Sequence, residues 1–224
     1  MGDCIRRYQS LAGLEAQRER ASKSTAEVVL SRIQYETNAQ QAYAYLLGLY
    51  LGDGSIVLNK NQRSYRLRIS LDQKYPEIIE ACQQTIALIL PQNKVSLVLT
   101  PEDGYVDVST NYKHLPTLFP QSGIGPKHLR PINLEAWQQK IVDAHPLDLF
   151  RGLYHSDGSR SQNIVNGKNY PRYFFTNTSD DIRRLFCETC DRLGLRWTVA
   201  NKLNIAISKR KDVEYLDSVI GPKR

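Results

Sequence analysis

Two aspartates, Asp53 and Asp157, each close an apolar stretch and are each followed by Gly-Ser, in YLLGLYLGDGSI (Tyr45–Ile56) and LFRGLYHSDGSR (Leu149–Arg160). Each stretch is apolar on most sides, as expected of a helix packed on several faces. At the end of such a helix an aspartate is an anion at the negative pole of the dipole. Two such ends brought together are electrostatically unfavourable, and a divalent cation relieves them, since Mg²⁺ takes one or two carboxylates together with waters and phosphate oxygens. With a basic surface alongside, the chemistry this suggests is metal-assisted phosphodiester hydrolysis. A single Asp-Gly after a helix reads as a turn and nothing more. The second occurrence shifts that balance.

The two stretches head an internal repeat. Displaced by 104 residues, Gly48 falls on Gly152, Asp53 on Asp157, Arg68 on Arg172, Gln73 on Asn177 and Ile78 on Ile182. A shortening in the second copy then sets Val106 and Val108 on Ile205 and Ile207, and Ile124-Gly-Pro-Lys127 returns as Ile220-Gly-Pro-Lys223. Lys127 and Lys223 therefore recur despite the change of length, and a lysine near an activated water stabilises developing charge. Gln73 and Asn177 stand at a strand-to-helix junction, where capping explains them as well as water orientation does. Gly48 and Gly152 cost about 1 kcal/mol each against alanine inside a helix. Close approach of the two repeated helices offsets that cost, with the small residues Gly52 and Ser156 at the crossing. Gly54 and Gly158 suit the left-handed position after a helix.

The elements follow from periodicity. In SYRLRISL, Arg66, Arg68 and Ser70 alternate with Tyr65, Leu67, Ile69 and Leu71, which predicts a strand with one wet, basic face. NGKNYPRYFFT plays that part less regularly in the second copy. Helices over PEIIEACQQTIALIL and DDIRRLFCETCDRLG, second hairpins over Val95–Ser109 and Arg196–Ser208, and last helices complete each copy. The order is αββαββα twice: an α+β fold of two pseudo-symmetric units, each with an antiparallel sheet, packed through the paired motif helices. The expected division is an N-terminal helical extension at 1–40, a first unit at 41–130, a linker helix at 131–145 and a second unit at 146–224. The extension looks helical from Ala26 to Tyr35, and its LAGLE at Leu11–Glu15 has no Asp-Gly after it.

Composition sets the remaining bounds. The chain has 224 residues and a net charge of +7 that no charged tail carries, so the excess sits on the folded surface and favours a polyanion. Apolar runs fall far short of a membrane span, and residues 1–20 have no apolar signal core, so the expected place is inside the cell with no membrane partner. Cys187-x-x-Cys190 has no second pair and reads as two helix thiols one turn apart. Intein splicing residues are absent: Cys4 is not first and the chain does not end in His-Asn.

LLGLYLGDG (Leu46–Gly54) and FRGLYHSDG (Phe150–Gly158) resemble the motif of the LAGLIDADG homing endonucleases, and the layout is similar to their single-chain, two-motif members. The resemblance spans 41–224 and departs at the first acidic position, where Leu51 and His155 stand. It implies a monomeric, site-specific endonuclease that cuts both strands of double-stranded DNA across the minor groove by metal-assisted water attack. Asp53 and Asp157 would be the catalytic acids and, with Gly52 and Ser156, the Mg²⁺ set, which Ca²⁺ or Mn²⁺ also fits. Lys127 and Lys223 would be the basic active-site residues, and Gln73 and Asn177 the water-orienting ones. The sheets would saddle the major groove of a long asymmetric site. Lys60, Gln62, Arg63, Arg66, Arg68 and Ser70 would meet one half-site; Arg160, Gln162, Asn163, Asn166, Lys168 and Arg172 would meet the other. Arg and Lys read guanine edges, Asn and Gln adenine. A DNA-binding regulator that does not cut and an intron-RNA maturase remain as alternatives on the same fold.

Overall fold

The computed structural model describes residues 25–60, 62–100, 102 and 104–224 of the chain. The LAGLE stretch and Cys4 lie outside the described residues. A helix α1 over residues 25–35 matches the helical reading of that segment and leads into α2 (Thr37–Asp53), the first motif helix. From Tyr43 to Leu51 every side of α2 is buried, as its nearly unbroken apolar sequence requires. The second motif helix, α6 (Pro146–Asp157), starts with Pro146 in its first turn, where the missing N–H costs nothing.

Each motif helix runs straight into a four-stranded antiparallel sheet. The first has the order β1-β2-β4-β3, with β1 (Gly54–Leu58), β2 (Tyr65–Asp72), β3 (Val95–Thr100) and β4 (Tyr105–Tyr112). The second has the order β5-β8-β10-β9, with β5 (Gly158–Ser161), β8 (Arg172–Thr176), β9 (Trp197–Asn201) and β10 (Asn204–Ile207). Matching strands hold matching places, so the duplication in sequence is a duplication of topology. A two-residue ribbon, β6 (Ile164–Val165) with β7 (Lys168–Asn169), is added in the second unit. It turns through Asn166 and Gly167, both at positive φ, as an Asn-Gly hairpin should.

Period-2 alternation on β2 is as expected. Leu67, Ile69 and Leu71 join the core, while Arg66, Arg68 and Ser70 face away from the helices. Helices α3 (Pro76–Ile89) and α7 (Asp180–Arg192) pack on the inner faces; α7 carries Cys187 and Cys190 as free thiols one turn apart. Between the units lies α5 (Ala136–Ala144), opened by a Glu135/Gln138 capping box. The last helices are unequal: α4 (Leu115–Leu118) is a single turn followed by a 3₁₀ turn at Lys127–Leu129, whereas α8 (Arg210–Val219) is a full helix. Among the described residues no helix is long and apolar enough to cross a membrane.

The expected helix crossing is present. A Cβ placed on Gly48 would lie 2.6 Å from the Leu153 main-chain N and 2.8 Å from Gly152 Cα. One placed on Gly152 would overlap the Tyr45 carbonyl oxygen. One on Gly52 would overlap the Ser156 side chain. The reading of Gly54 and Gly158 is corrected. Both are extended, at φ −92° and −89°, not left-handed. Glycine is required there because a Cβ on Gly54 would stand 2.5 Å from Tyr50 Cα, and one on Gly158 would stand 2.6 Å from Tyr154 O. Each chain leaves its helix directly into a strand, folding back against the last turn.

Candidate active site

Asp53 and Asp157 are the last residues of α2 and α6, so the crossing of these helices brings both carboxylates to one place. A Cβ on Gly52 would come within 2.8 Å of Asp157 Oδ2, which locates the second carboxylate against the end of the first helix. Two clefts flank the crossing. One, of ~240 Å³, sets Asp53 of the first unit beside His155, Ser156 and Lys223 of the second. The other, of ~410 Å³, sets Asp157 and Asn177 of the second unit beside Leu51, Gly52 and Lys127 of the first. The arrangement is crossed: each aspartate faces the helix end and the lysine of the opposite copy.

The lysines answer the wrong-pole problem directly. Lys127 Nζ donates to three carbonyls at the end of α2, those of Tyr50 (2.5 Å), Gly52 (2.8 Å) and Gly54 (2.8 Å). Lys223 Nζ donates to the Ser156 carbonyl at 3.1 Å. A cation there adds a donor to the last carbonyls of the helix, of which that of Tyr50 already accepts from Gly54 N, and offsets the helix dipole. The segment carrying Lys223 is tied to α3 through the Arg224 main-chain oxygen, which accepts from Ile78 N at 3.3 Å.

Burial and like charge dominate the electrostatics. Loss of water, then the nearby Asp157 carboxylate, push Asp53 up to about 6 against the pull of Lys223 and Lys127. Asp157 is also raised, by loss of water, though the Asn177 side chain and both lysines oppose this. Burial lowers Lys127 and Lys223 to about 8, against the pull of both aspartates. Near neutral pH the site holds two carboxylates that water solvates poorly. Its donors are these carboxylates and the main-chain oxygens of Gly52 and Ser156, each carbonyl keeping a second lone pair beside its lysine. Among the described residues no group of three or more His, Cys, Asp or Glu side chains is placed to hold a metal. An oxygen-only set with two carboxylates fits a hard cation that keeps several waters, and does not fit zinc.

A pH dependence follows. A carboxyl whose folded value lies above its unfolded one binds a proton more tightly when folded, so stability falls as pH rises from about 4 to 6. A lysine lowered to about 8 does the reverse: stability is regained as pH rises from about 8 towards 10.5. In EDTA, wild-type stability relative to Asp53→Asn is expected to decline across pH 4–6 by up to about 3 kcal/mol. Millimolar Mg²⁺ or Ca²⁺ at pH 7 should recover much of that loss. Urea titrations at several pH values measure it, and a flat difference would exclude a strained Asp53.

Asn177 lies beside Asp157: its Nδ2 donates to Asp157 Oδ2 at 2.7 Å, while its Oδ1 accepts from Ser179 N at 2.8 Å at the start of α7. Gln73 does not match it. Its main chain donates to the Gly104 carbonyl and its side chain is exposed beside Gly104, outside the Asp53 cleft. Its neighbours Asp72, Lys74 and Tyr75 line that cleft instead, with Lys74 Nζ paired to Asp72 at 2.5 Å. Sequence reasoning missed these three; their adjacency to Gln73 was the available signal. His155 packs edge-on to Tyr45, whose hydroxyl is 2.9 Å from its Nδ1. Burial first, then the Lys223 and Arg151 charges, lower its value to about 3, so it is a neutral ring in the Asp53 cleft where Leu51 lines the other.

On the outer sheet faces, Arg66, Arg68 and Ser70 are aligned along β2, with Gln62 and Arg63 in the β1–β2 connection and Lys60 at its start. Asn163, Asn166 and Lys168 surround the β6–β7 ribbon, Gln162 precedes it and Arg172 opens β8. Arg160 is corrected. It pairs across the sheet with the buried Tyr173, so it points towards the helices. Asp217 on α8 holds its guanidinium through both oxygens, at 2.7 and 2.8 Å, and also accepts from the Tyr173 hydroxyl at 2.6 Å. Arg160 is a structural tie there, not a free reading group.

Residues 40–89 match the family description of a LAGLIDADG-like domain. Among solved structures the chain resembles mesophilic variants of the homing endonuclease I-DmoI, with a TM-score of 0.53 and 18% identity over 82% of this chain and 97% of that one. It resembles I-DmoI in complex with DNA and Mn, with a TM-score of 0.53 and 17% identity over 83% and 98% of the two chains. It is similar also to the N-terminal LAGLIDADG domain of DUF199/WhiA, with a TM-score of 0.51 and 15% identity over 83% of each chain. No curated protein sequence matches. Residues 40–89 are thus similar to a LAGLIDADG-like domain, and the chain shares the fold of these solved structures.

Proposed function

We propose that this chain is a site-specific double-stranded DNA endonuclease that hydrolyses one phosphodiester on each strand across the minor groove. The observation that carries this reading is the crossed pair of clefts, each with a poorly solvated carboxylate facing a lysine from the other copy. A structural turn needs no second carboxylate at the same crossing. The fold it shares with a homing endonuclease solved with DNA and Mn supports the reading.

Asp53, Asp157 and the Gly52 and Ser156 carbonyls would hold Mg²⁺, which when bound would supply Lewis acidity at the phosphate and ease loss of a proton from the attacking water. The chain's own residues do the rest. Asn177 fixes Asp157 through its Oδ2. Lys127 and Lys223, lowered to about 8, sit close enough to neutral pH to hold or give a proton while opposing charge that builds on the phosphate. The apolar wall of each cleft, Leu51 in one and Tyr75 in the other, limits water around the reacting centre. The outer sheet faces would lie in the major groove, with the side chains of β2, β8 and the β6–β7 ribbon toward base edges. The loops differ between the copies, so the preferred site is long and asymmetric, and one monomer spans it.

One observation favours a second reading, a DNA-binding regulator without cleavage or a maturase acting on intron RNA. Lys127 already caps three carbonyls, a task that needs no chemistry. A randomised duplex library, incubated with Mg²⁺ or with Ca²⁺, decides between the readings. Cleavage at a recurring sequence is expected with Mg²⁺, and binding without cleavage with Ca²⁺. Tight binding with no cleavage of the best-bound duplex under Mg²⁺ would establish the regulator, and a preference for structured RNA the maturase. Affinity should also fall by roughly 10³-fold or more between 50 and 200 mM salt if six or more phosphates are neutralised. A flat salt response would remove the outer sheet faces as the DNA surface.

A further inference from the structure

The outer face of the first sheet is basic along β2, yet one carboxylate stands in the middle of it. Asp107 on β4 pairs across the sheet with Ser70 and is only 7% exposed. Phosphate-rich DNA laid on this face would meet an anion there, which lowers general affinity. Both of its oxygens are engaged by neighbours on β2. Oδ1 accepts from the Ser70 hydroxyl at 2.6 Å, and Oδ2 lies 3.6 Å from Arg68 Nη1. The Arg68 side chain is half exposed, so its remaining N–H donors project from the face. The planar fork of arginine suits the two acceptors of a guanine edge, provided that its long stem is held in one direction.

The second sheet provides the contrast. Arg172 stands in the repeat where Arg68 does, but Phe174 replaces Ser70, and its cross-strand partner is Ala206 where the first sheet has Asp107. The same arginine is buttressed by a buried carboxylate in one copy and is not in the other.

We propose that Asp107 is a positioning residue for sequence discrimination: with Ser70 as its brace, it aims Arg68 at a guanine in the half-site under the first sheet, making that half-site the more stringent of the two. This rests on the reading of the outer faces as a DNA surface. The geometry excludes Asp107 as a general adhesive, since a carboxylate weakens phosphate binding. It stands on this face at a cost in affinity, and what it supplies is direction.

The test measures base preference at every position of the best-bound duplex in Ca²⁺, for the wild type, Asp107→Asn, Arg68→Ala, Arg68→Lys and the Asp107→Asn/Arg68→Ala pair. Asp107→Asn keeps the shape and an acceptor for Ser70. It is expected to reduce discrimination about tenfold at one base pair, the same one that Arg68→Ala affects. Its affinity for a random duplex should rise a few-fold, and the double variant should discriminate no worse than Arg68→Ala alone. Arg68→Lys keeps the charge without the fork and should give the same loss with random-duplex affinity unchanged. Arg172→Ala should relax a position in the other half-site, equally with and without Asp107→Asn. The proposal is overturned if Asp107→Asn leaves the preference intact, if it alters a position that Arg68 does not affect, or if it lowers affinity for every duplex alike. Failure of the wild type to bind any duplex overturns the DNA reading as well, and is told apart by that result alone.

Discussion

Asp53→Asn/Asp157→Asn is expected to lose DNA cleavage by at least ~10³-fold while still binding the preferred duplex. Asparagine keeps the shape of each side chain and removes the anion, so the helix crossing is untouched. What disappears is the ability to hold a divalent cation against the phosphate, which is worth several kcal/mol, each ~1.4 kcal/mol being a factor of ten in rate. Binding should hold or strengthen, since the lost charges face phosphates. Because the clefts are crossed and separate, the single variants should differ in kind from the double. Asp53→Asn empties the cleft with Lys223 and Asp157→Asn the one with Lys127, so each should lose far more on one strand than on the other. Supercoiled plasmid then accumulates as nicked circle, and end-labelled duplex shows which strand survives. The variants should also be more stable than wild type in EDTA above pH 6, because both carboxylates there are short of water and Asp53 also lies near the charge of Asp157. Loss of stability together with activity would mean the aspartates serve the fold, and the catalytic reading would fail.

Repetition made most of this legible. A single glycine in a helix or a single Asp-Gly turn carries little information, but the same pair 104 residues apart carried the helix crossing and the paired carboxylates, and the Ile-Gly-Pro-Lys turn repeated 96 residues apart carried both lysines. Alternation on β2 was readable because a sheet with one buried face admits one register. What escaped depended on contacts between segments far apart in sequence. Arg160 read as a free cation because Asp217 lies 57 residues on. Asp107 sat among Val106 and Val108 with nothing local to mark it as a partner of Ser70. Gln73 and Asn177 matched in position but not in setting. A turn at a strand end rotates quickly, and its neighbours Asp72, Lys74 and Tyr75 took the cleft. The left-handed reading of Gly54 and Gly158 failed because glycine answers two different needs, a positive φ or the lack of a Cβ, and the residue type does not say which.

The second large effect belongs to the helix crossing. Gly152→Ala is expected to destabilise the protein by about 2 kcal/mol or more, although alanine improves helix propensity by about 1 kcal/mol. The added Cβ would strike the Tyr45 carbonyl and stand 3.0 Å from Gly48 Cα and 3.1 Å from Leu49 N. These are main-chain atoms in the middle of a buried helix, so no rotamer change accommodates them, and the two helices must separate. At this chain length the loss corresponds to a fall in Tm of roughly 4–8 °C. Gly48→Ala meets Leu153 N and Gly152 Cα from the opposite side and should cost a similar amount. The pair should fall short of additivity, because helices already separated for one methyl have room for the other. Gly123→Ala is the control: its Cβ would meet only the Arg130 side chain, at 3.4 Å, and should change stability by less than about 0.5 kcal/mol. Cleavage gives a second readout at temperatures where the variants remain folded. Separating α2 and α6 moves Asp53 from Lys223 and Asp157 from Lys127 together, so activity should fall by more than the unfolded fraction explains, while duplex affinity in Ca²⁺ falls less. A stable, fully active Gly152→Ala would show that the helices tolerate separation, and that neither glycine is what places the two carboxylates side by side.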